Sequence, residues 1–323
     1  MCTAISFQTK NHYFGRNLDV ECKYGEKIVI TPRNYQFDFR LNDSVKSHYA
    51  IIGVAVVENN YPLYFDGTNE KGLSMAGLRF PETANYEEPV EDKHNIGAFE
   101  LIPWILGTCS SVDEAKALLQ KTNIIAMDFN EKYHSAPLHW MISDRDYSIT
   151  VECVEDGLKI YYNPVHTLTN NPAFPLQMFN LNNYMSLTRE EPETRFAEGF
   201  DFYKYSRGMG ALGMPGDLSS MSRFVRASFT RLNSICGESE SESISQFFHI
   251  LDSVSQTRGC VRVEDTFEIT SYSSCCNTDK GVYYYKTYEN SQISAVDLHH
   301  ENLDNENLVI YNFVNEQQIN YQN

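Results

Sequence analysis

The sequence predicts an α+β fold in which antiparallel sheets carry helices on their outer faces. Three observations lead there. The elements read in the order strands, helices, strands, helices, strands. Most strands adjacent in sequence are joined by turns too short for a crossover helix, which favours hairpin pairing over a doubly wound parallel sheet. The glycine patterns of parallel nucleotide-binding folds, Gly-x-Gly-x-x-Gly and Gly-x-x-x-x-Gly-Lys-Ser/Thr, do not occur, and neither does the Gly-x-Ser-x-Gly elbow of serine hydrolases.

The first third reads as β-structure. Cys2–Thr9, a turn at Lys10-Asn11 and Tyr13–Arg16 form a hairpin. Residues Lys27–Arg40 alternate in places (Ile28, Ile30; Tyr35, Phe37, Phe39), as a half-buried strand pair does. Tyr49–Val57 is a continuous apolar run suited to a strand buried on both faces. Tyr61–Phe65 and Gly72–Phe80 follow, with Gly67-Thr68-Asn69-Glu70 as the turn between them. An apolar helix is predicted over Ala98–Leu106. A capping box at Ser111-Val112-Asp113-Glu114 opens a second helix over Ala115–Lys121. Strands return at Ile124–Met127, Leu138–Ser143, Ile149–Val154 and Leu158–Tyr162. Asp217–Ile235 and Glu242–Val254 carry helical periodicity, the second starting in an acidic Ser/Glu run favourable at a helix N-terminus. Phe267–Tyr272, Gly281–Tyr288 and Gln292–Leu298 close the sheets.

No composition break, linker or internal repeat divides the 323 residues, so one domain over 1–323 is expected. The formal charge is −17, from 43 acidic and 26 basic residues, which argues against nucleic acid or an anionic membrane as partner. It also provides no long-range attraction for an anionic ligand, which would have to be held by local groups. The opening residues lack a secretory signal, and no stretch reaches the ~18 apolar residues of a membrane helix, so a cytoplasmic location is expected. In that setting the eight cysteines are expected to be free. Cys275-Cys276 is read as two adjacent strand positions facing opposite ways. The nine histidines show no metal-ligand spacing, and no metal or cofactor is expected.

Cys2 directly follows Met1. Methionine before a small residue is normally trimmed, which would leave Cys2 with a free α-amine. One residue would then carry a thiol titrating near ~8.5 and a base titrating near ~8. A nucleophile activated by its own terminal amine is an established solution for attack on amides. Arg16 and Asp19 lie within the same hairpin, in His12-Tyr13-Phe14-Gly15-Arg16-Asn17-Leu18-Asp19. A cation there would favour the thiolate and a carboxylate would orient the amine. On the residues alone, the same pair also fits a solvated ion pair on a turn, worth under ~1 kcal/mol.

Cys2-Thr3-Ala4-Ile5 together with that hairpin string resembles the opening of the choloylglycine hydrolase family, which contains bile salt hydrolases and penicillin V acylases. Further matching stretches run in order along the chain. They are Asn69–Leu73, Met75–Leu78, Leu168-Thr169-Asn170-Asn171-Pro172, Tyr205–Gly210, Pro215-Gly216-Asp217, Ser222-Arg223-Phe224-Val225 and Tyr272–Cys275. The resemblance is strongest to the bile salt hydrolases of gut Gram-positive bacteria. It implies an N-terminal nucleophile hydrolase fold, a four-layer αββα sandwich of two antiparallel sheets. It implies Cys2 as nucleophile, Arg16 and Asp19 as the groups that tune it and orient its amine, and Arg223 as a distal arginine of the site. Asn170, or its neighbour Asn171, is the implied oxyanion side chain, with the backbone N–H of Arg79 completing the hole. Leu18, the stretch Asn59–Phe65 with Tyr61 and Phe65, and the stretch Met127–Tyr133 with Met127, Phe129 and Tyr133 are expected to hold the acyl group. The implied substrate is a glycine- or taurine-conjugated bile salt, and the implied assembly a homotetramer.

The chain departs from the family pattern twice. Arg79 stands where bile salt hydrolases usually carry Asn, and Tyr133-His134-Ser135 replaces an apolar stretch. Both leave the chemistry in place and alter the pocket wall, so a penicillin V acylase, or another acylase with the same machinery, is the alternative. A catalytically inactive binding protein that keeps the pocket is the third reading.

Overall fold

The computed structural model describes residues 1–323. The chain begins with the hairpin β1 (Cys2–Gln8) and β2 (His12–Val20). A meander follows: β3 (Lys27–Thr31), β4 (Ile51–Glu58), β5 (Tyr61–Asn69) and β6 (Ser74–Arg79). Next come β7 (His94–Gly97), helices α1 (Leu101–Thr108) and α2 (Val112–Leu119), and β8 (Thr122–Ile125). β9 (Leu138–Ser143), β10 (Ser148–Val154) and β11 (Gly157–Tyr162) form a second meander, ended by the short β12 (Thr167–Leu168). Three helices, α3 (Phe174–Asn180), α4 (Ser220–Asn233) and α5 (Glu240–Asp252), precede a small ribbon of β13 (Arg262–Val263) and β14 (Thr266–Phe267). β15 (Ile269–Asn277), β16 (Val282–Thr287), β17 (Ser294–Asp297) and β18 (Val309–Asn312) close the chain.

Two antiparallel sheets result. The six-stranded sheet has the order β12-β1-β2-β15-β16-β17 and the eight-stranded sheet β11-β10-β9-β6-β5-β4-β3-β18. Strand alternation sorts side chains between them. Ala4, Leu18, Ile52, Val54, Leu78 and Met141 fill the layer between the sheets. Leu101, Ile105 and Leu106 of α1 pack with Met75, Ile142 and Val151 on the outside of the larger sheet. Phe247, Ile250 and Leu251 of α5 pack with Ile5, Phe7 and Tyr13 on the outside of the smaller one. The result is the four-layer αββα sandwich of N-terminal nucleophile hydrolases. Cys275 and Cys276 are both fully buried, the first under α5 and the second between the sheets, as adjacent strand positions require. All eight cysteines are free. No helix is long and apolar enough to cross a membrane.

Gly15 allows the two halves of the smaller sheet to meet. A Cβ there would lie 2.0 Å from the Ser274 carbonyl oxygen and 2.9 Å from the Cys275 Cα, so any side chain would push β15 off β2.

Several element expectations are corrected. The strand predicted through Arg40 stops at Thr31, before Pro32, which has no N–H for a ladder. Tyr35, Phe37 and Phe39 are buried in irregular backbone, because they pack on one another and on Trp104. Gly67, Thr68 and Asn69 belong to β5, and the turn falls at Glu70–Gly72. Their polar groups are satisfied inside: Thr68 Oγ1 meets Ser74 Oγ at 2.8 Å, and Asn69 Nδ2 donates to Leu106 O and Cys109 O at 2.7 Å each. The strand expected over Ile124–Met127 is Thr122–Ile125, and it pairs parallel with β7, an element with no clear sequence signal.

Candidate active site

The site grows from the register of the first hairpin. Cys2 pairs with Leu18 and Ala4 with Arg16, so these four share the face turned towards the larger sheet. Thr3, Asn17 and Asp19 face the other way, towards α4 and α5. Cys2 is thus served on two sides. Its side chain shares a buried face with Arg16, while its backbone and Asp19 are reached from the helical side by Arg223.

Arg16 occupies a gap in the larger sheet. β5 and β6 pair from Thr68↔Ser74 to Asp66↔Ala76 and then separate. The next pair would be Phe65 with Gly77. Instead Arg16 Nη1 donates to both of their carbonyls, at 3.1 and 2.5 Å. A β-bulge on β5 skips Phe65 between Asp66 and Tyr64, which turns the strand away at that point. Arg16 is fully buried, and its Nη2 has no partner. Burial alone would lower its pKa, but the charges of Cys2, Tyr272, Asp66 and Asp19 outweigh this and raise it. Asp66 is fixed by hydroxyl donors from Tyr272 (2.5 Å) and Tyr283.

Arg223 projects from α4, also fully buried. Its Nη1 donates to Cys2 O (2.5 Å) and Thr3 Oγ1 (2.7 Å), its Nη2 to Asn170 Oδ1 (2.7 Å), and Nη1 lies 3.8 Å from Asp19 Oδ2. Asp19 Oδ1 accepts from Thr270 Oγ1 at 2.6 Å, while Oδ2 is buried with no hydrogen-bond donor. Burial raises the Asp19 pKa, against the pull of Arg223 and the terminal ammonium. In this structure that ammonium belongs to Met1. It donates to Asp19 O (2.6 Å) and to the nearly buried carboxylate of Glu268.

Asn170 is placed by continuing the β1–β12 register. The pairs Ala4↔Leu168 and Ile5↔Thr167 extrapolate to Cys2↔Asn170, where the side chain replaces the ladder: Cys2 N donates to Asn170 Oδ1 at 2.8 Å. Asn171 points elsewhere, its Nδ2 donating to Pro81 O and Thr83 Oγ1, so Asn170 is the member that meets Cys2. Asn170 Nδ2 donates to Arg79 O at 2.7 Å.

The backbone of Arg79 follows from β6–β9 pairing. Phe80 N donates to Pro137 O, which makes Arg79 and Leu138 a pair not bonded to each other. Both residues turn their backbone groups outward. Leu138 N donates to Tyr86 Oη, and Arg79 O accepts from Asn170. The Arg79 N–H points the same way as its carbonyl, beside the Asn170 amide. The Asn170 side chain thus bridges Cys2 N and the Arg79 carbonyl, which puts the Arg79 backbone on the same side as Cys2.

The Thr169–Asn170 segment has its own support. His139 is fully buried, stacked on Phe80 at 4.2 Å, with Nε2 2.8 Å from Thr169 O and Nδ1 3.0 Å from Glu152 Oε1. A carbonyl only accepts, so Nε2 is the donor to Thr169 O. Ser220 Oγ accepts from Asn170 N at 2.8 Å.

A cavity of about 380 Å³ opens at Cys2 and Arg16 through the gap beside Gly77. Leu18, Phe65, Phe129 and Tyr133 line it as expected. Tyr61 and Met127 do not. Tyr61 lies one layer back, against Phe99 and Phe129, and Met127 stands on the segment outside the wall. Leu63 and Lys132 also line it, inside the expected stretches Asn59–Phe65 and Met127–Tyr133. Sequence reasoning missed Tyr24, Phe99 and Ile102 in the wall and Glu268, Thr270 and His139 behind the site. None of these stands in a local pattern that marks it. No group of three or more His, Cys, Asp or Glu residues is arranged to hold a metal.

The αββα sandwich, opened by a strand whose buried cysteine is supported by two buried arginines, is the fold of the N-terminal nucleophile hydrolases. The model of the linear amide C–N hydrolases, choloylglycine hydrolase family, matches residues 2–311, and the chain belongs to that family. It is 55% identical over 312 residues to the bile salt hydrolase/transferase of Lactiplantibacillus plantarum, covering 96% of each chain. The crystal structure of the C2A mutant of conjugated bile acid hydrolase from Clostridium perfringens superposes with a TM-score of 0.93 at 37% identity, over 100% of both chains. Penicillin V acylase from Agrobacterium tumefaciens shares the fold, with a TM-score of 0.75 at 20% identity, over 98% of this chain and 94% of that one.

Proposed function

We propose that this chain hydrolyses the amide bond of glycine- or taurine-conjugated bile salts, with Cys2 as nucleophile once Met1 is removed. The observation that carries the reading is the junction at Cys2. Its backbone is clamped by Asn170 and Arg223, its side chain shares a buried face with Arg16, and the buried acceptor Asp19 Oδ2 has no donor. A free Cys2 ammonium would fill that acceptor. The substrate class comes from the relatives, whose names specify bile salts, and from an apolar cavity within the ~300–1,000 Å³ of small-molecule sites.

The reaction balances with no added group. The α-amine takes the Cys2 thiol proton, Sγ bonds to the carbonyl carbon, and charge moves to the carbonyl oxygen. Asn170 Nδ2 and the Arg79 N–H stabilise that oxygen, each by a few kcal/mol. The C–N bond then breaks as the ammonium delivers its proton to glycine or taurine. Water next attacks the thioester, giving free bile acid and restoring the thiol. Arg16 favours the thiolate, and Asp19, fixed by Thr270 and Arg223, orients the amine. Leu18, Phe65, Phe129 and Tyr133 hold the sterol.

The test is the mass of the N-terminal peptide, followed by release assays on glycocholate, taurocholate and penicillin V. Cys2→Ser is expected to keep the fold and lose at least ~10³-fold in turnover. Normal turnover by that variant sinks the mechanism. Penicillin V hydrolysis is the second reading, favoured by the polar wall at Tyr133–Ser135. Failure to form a thioester adduct by intact mass would support a binding protein instead. We further read 1–323 as one cytoplasmic domain that assembles as a homotetramer. The exposed aromatics Phe196, Phe200, Phe202, Tyr203 and Tyr205 support assembly, as a surface a partner copy would cover.

A further inference from the structure

Three cationic side chains, Arg16, Arg79 and Lys132, and the imidazole of His134 line the cavity. Three of these four groups are engaged. Arg16 is spent on the Phe65 and Gly77 carbonyls and on the thiol side of the site. Lys132 sits 3.4 Å from Glu58 and 4.6 Å over the Tyr133 ring, and His134 is 2.9 Å from Asp128. Arg79 alone is bound only through its backbone carbonyl, by Asn170, leaving an exposed guanidinium with no ion pair. In a chain of net charge −17, an unpaired arginine on the wall of an active-site cavity is a placed charge.

Its position is fixed relative to the chemistry. On the hydrolase reading the Arg79 backbone N–H would meet the carbonyl oxygen of the scissile amide, and its side chain then leaves the cavity wall close to the bond to be cut. On the amine side of that bond, a glycine conjugate carries its carboxylate two bonds beyond the nitrogen, and a taurine conjugate its sulfonate three bonds beyond. Both anions fall inside the sweep of a flexible, exposed guanidinium, which binds oxyanions through two parallel N–H donors. Arg16, the other guanidinium beside Cys2, is fully buried and held by two backbone carbonyls with its Nη2 unpartnered, so Arg79 is the exposed, mobile cation of this wall.

We infer that the Arg79 guanidinium anchors the anionic group carried by the leaving amine, making it a specificity-determining residue for acidic amides. The inference rests on the hydrolase reading above. The anion is present in the bound substrate and persists through the transition state, so the contact is uniform binding and acts on KM rather than kcat.

The experiment uses the full-length protein, unsubstituted and as Arg79→Gln and Arg79→Lys. Kinetics are measured with glycocholate, taurocholate and cholylglycinamide, whose leaving amine is uncharged. The readout is the ratio of kcat/KM on each acidic conjugate to that on the neutral amide, within each protein, so a general disturbance of the wall cancels. Arg79→Gln is expected to lower both ratios about fivefold, through KM, and Arg79→Lys to recover part of the loss. A fall confined to the glycine or the taurine arm identifies which anion the guanidinium seats. Ratios unchanged in Arg79→Gln, or a Lys variant no better than Gln, overturn the inference while the hydrolase reading stands. Failure of the unsubstituted protein to release glycine or taurine overturns both.

Discussion

The first hairpin buries a polar cluster at each end, and the two are built on opposite terms. At the far end, His12 is held by Ser6 (2.8 Å), Thr278 (2.8 Å) and Ser143 (3.3 Å), and Ser148 links Ser143 to His166 (2.8 Å each). No buried side-chain polar atom of this cluster is left without a partner. At the near end, Arg16 Nη2 stays unpartnered in the wall of a cavity that reaches Cys2, and Asp19 Oδ2 stays unpartnered on the helical side of the same strand. An unsatisfied buried polar atom costs about 1–3 kcal/mol. One pair of strands therefore carries a cluster that stabilises and a cluster that stays available to a reactant. Buried polar residues are found in both; orphaned atoms separate them.

The sharpest way to break this contrast is to disable the near end alone. Asn170→Ala removes the proposed oxyanion amide, and kcat is expected to fall ~10²- to 10³-fold while the protein still folds, less stable by about 1–3 kcal/mol because Arg223 Nη2 loses its acceptor. A loss of fold with no specific loss of kcat would make Asn170 structural, like the far end. Asp19→Asn comes next, with an expected kcat/KM loss of ~10²-fold. Removing the carboxylate disfavours the neighbouring ammonium and so lowers the amine's pKa. The acid limb of the pH–rate profile should move to lower pH, and a limb that stays in place separates Asp19 from the amine.

The smallest effect on turnover belongs to His12→Asn, which leaves kcat unchanged and alters stability. Burial lowers the His12 pKa from 6.5 to about 3. Between those values the unfolded chain takes up a proton that the native state refuses. Stability is complete above pH 6.5 and is lost as pH falls towards 3, by on the order of 4 kcal/mol. Urea midpoints measured from pH 7 to pH 4 should fall steeply in the unsubstituted protein and less steeply in the variant. Equal slopes would mean that the far end does not couple to protons.

How much of this was legible follows from sequence distance. Cys2, Arg16 and Asp19 share one hairpin, and period-two alternation together with a short turn brings them near one another without any knowledge of the rest. Asn170 and Arg223 reach Cys2 from 168 and 221 residues away, so no local pattern points to them. They were found by resemblance to a family, and the register of β12 and the face of α4 explain it afterwards. Glu268, Thr270 and His139 were not found at all, because a single Glu, Thr or His on a strand looks the same whether it braces a site or fills a core. Tyr61 belongs to a stretch, Asn59–Phe65, that the resemblance assigns to the pocket, but its ring packs one layer back against Phe99 and Phe129. Tyr35, Phe37 and Phe39 mimicked a strand through alternation that the structure uses for aromatic packing.

The parting of β5 from β6 has one more consequence. Closing it would add ladder hydrogen bonds between Phe65 and Gly77 and would release Arg16, so the zipped sheet is a thermodynamic temptation lying beside the native one. Heat tolerance and turnover then pull on the same few ångströms. Variants selected only for resistance to unfolding will tend to stitch this seam shut, and the sturdier molecule will be a walled-up one.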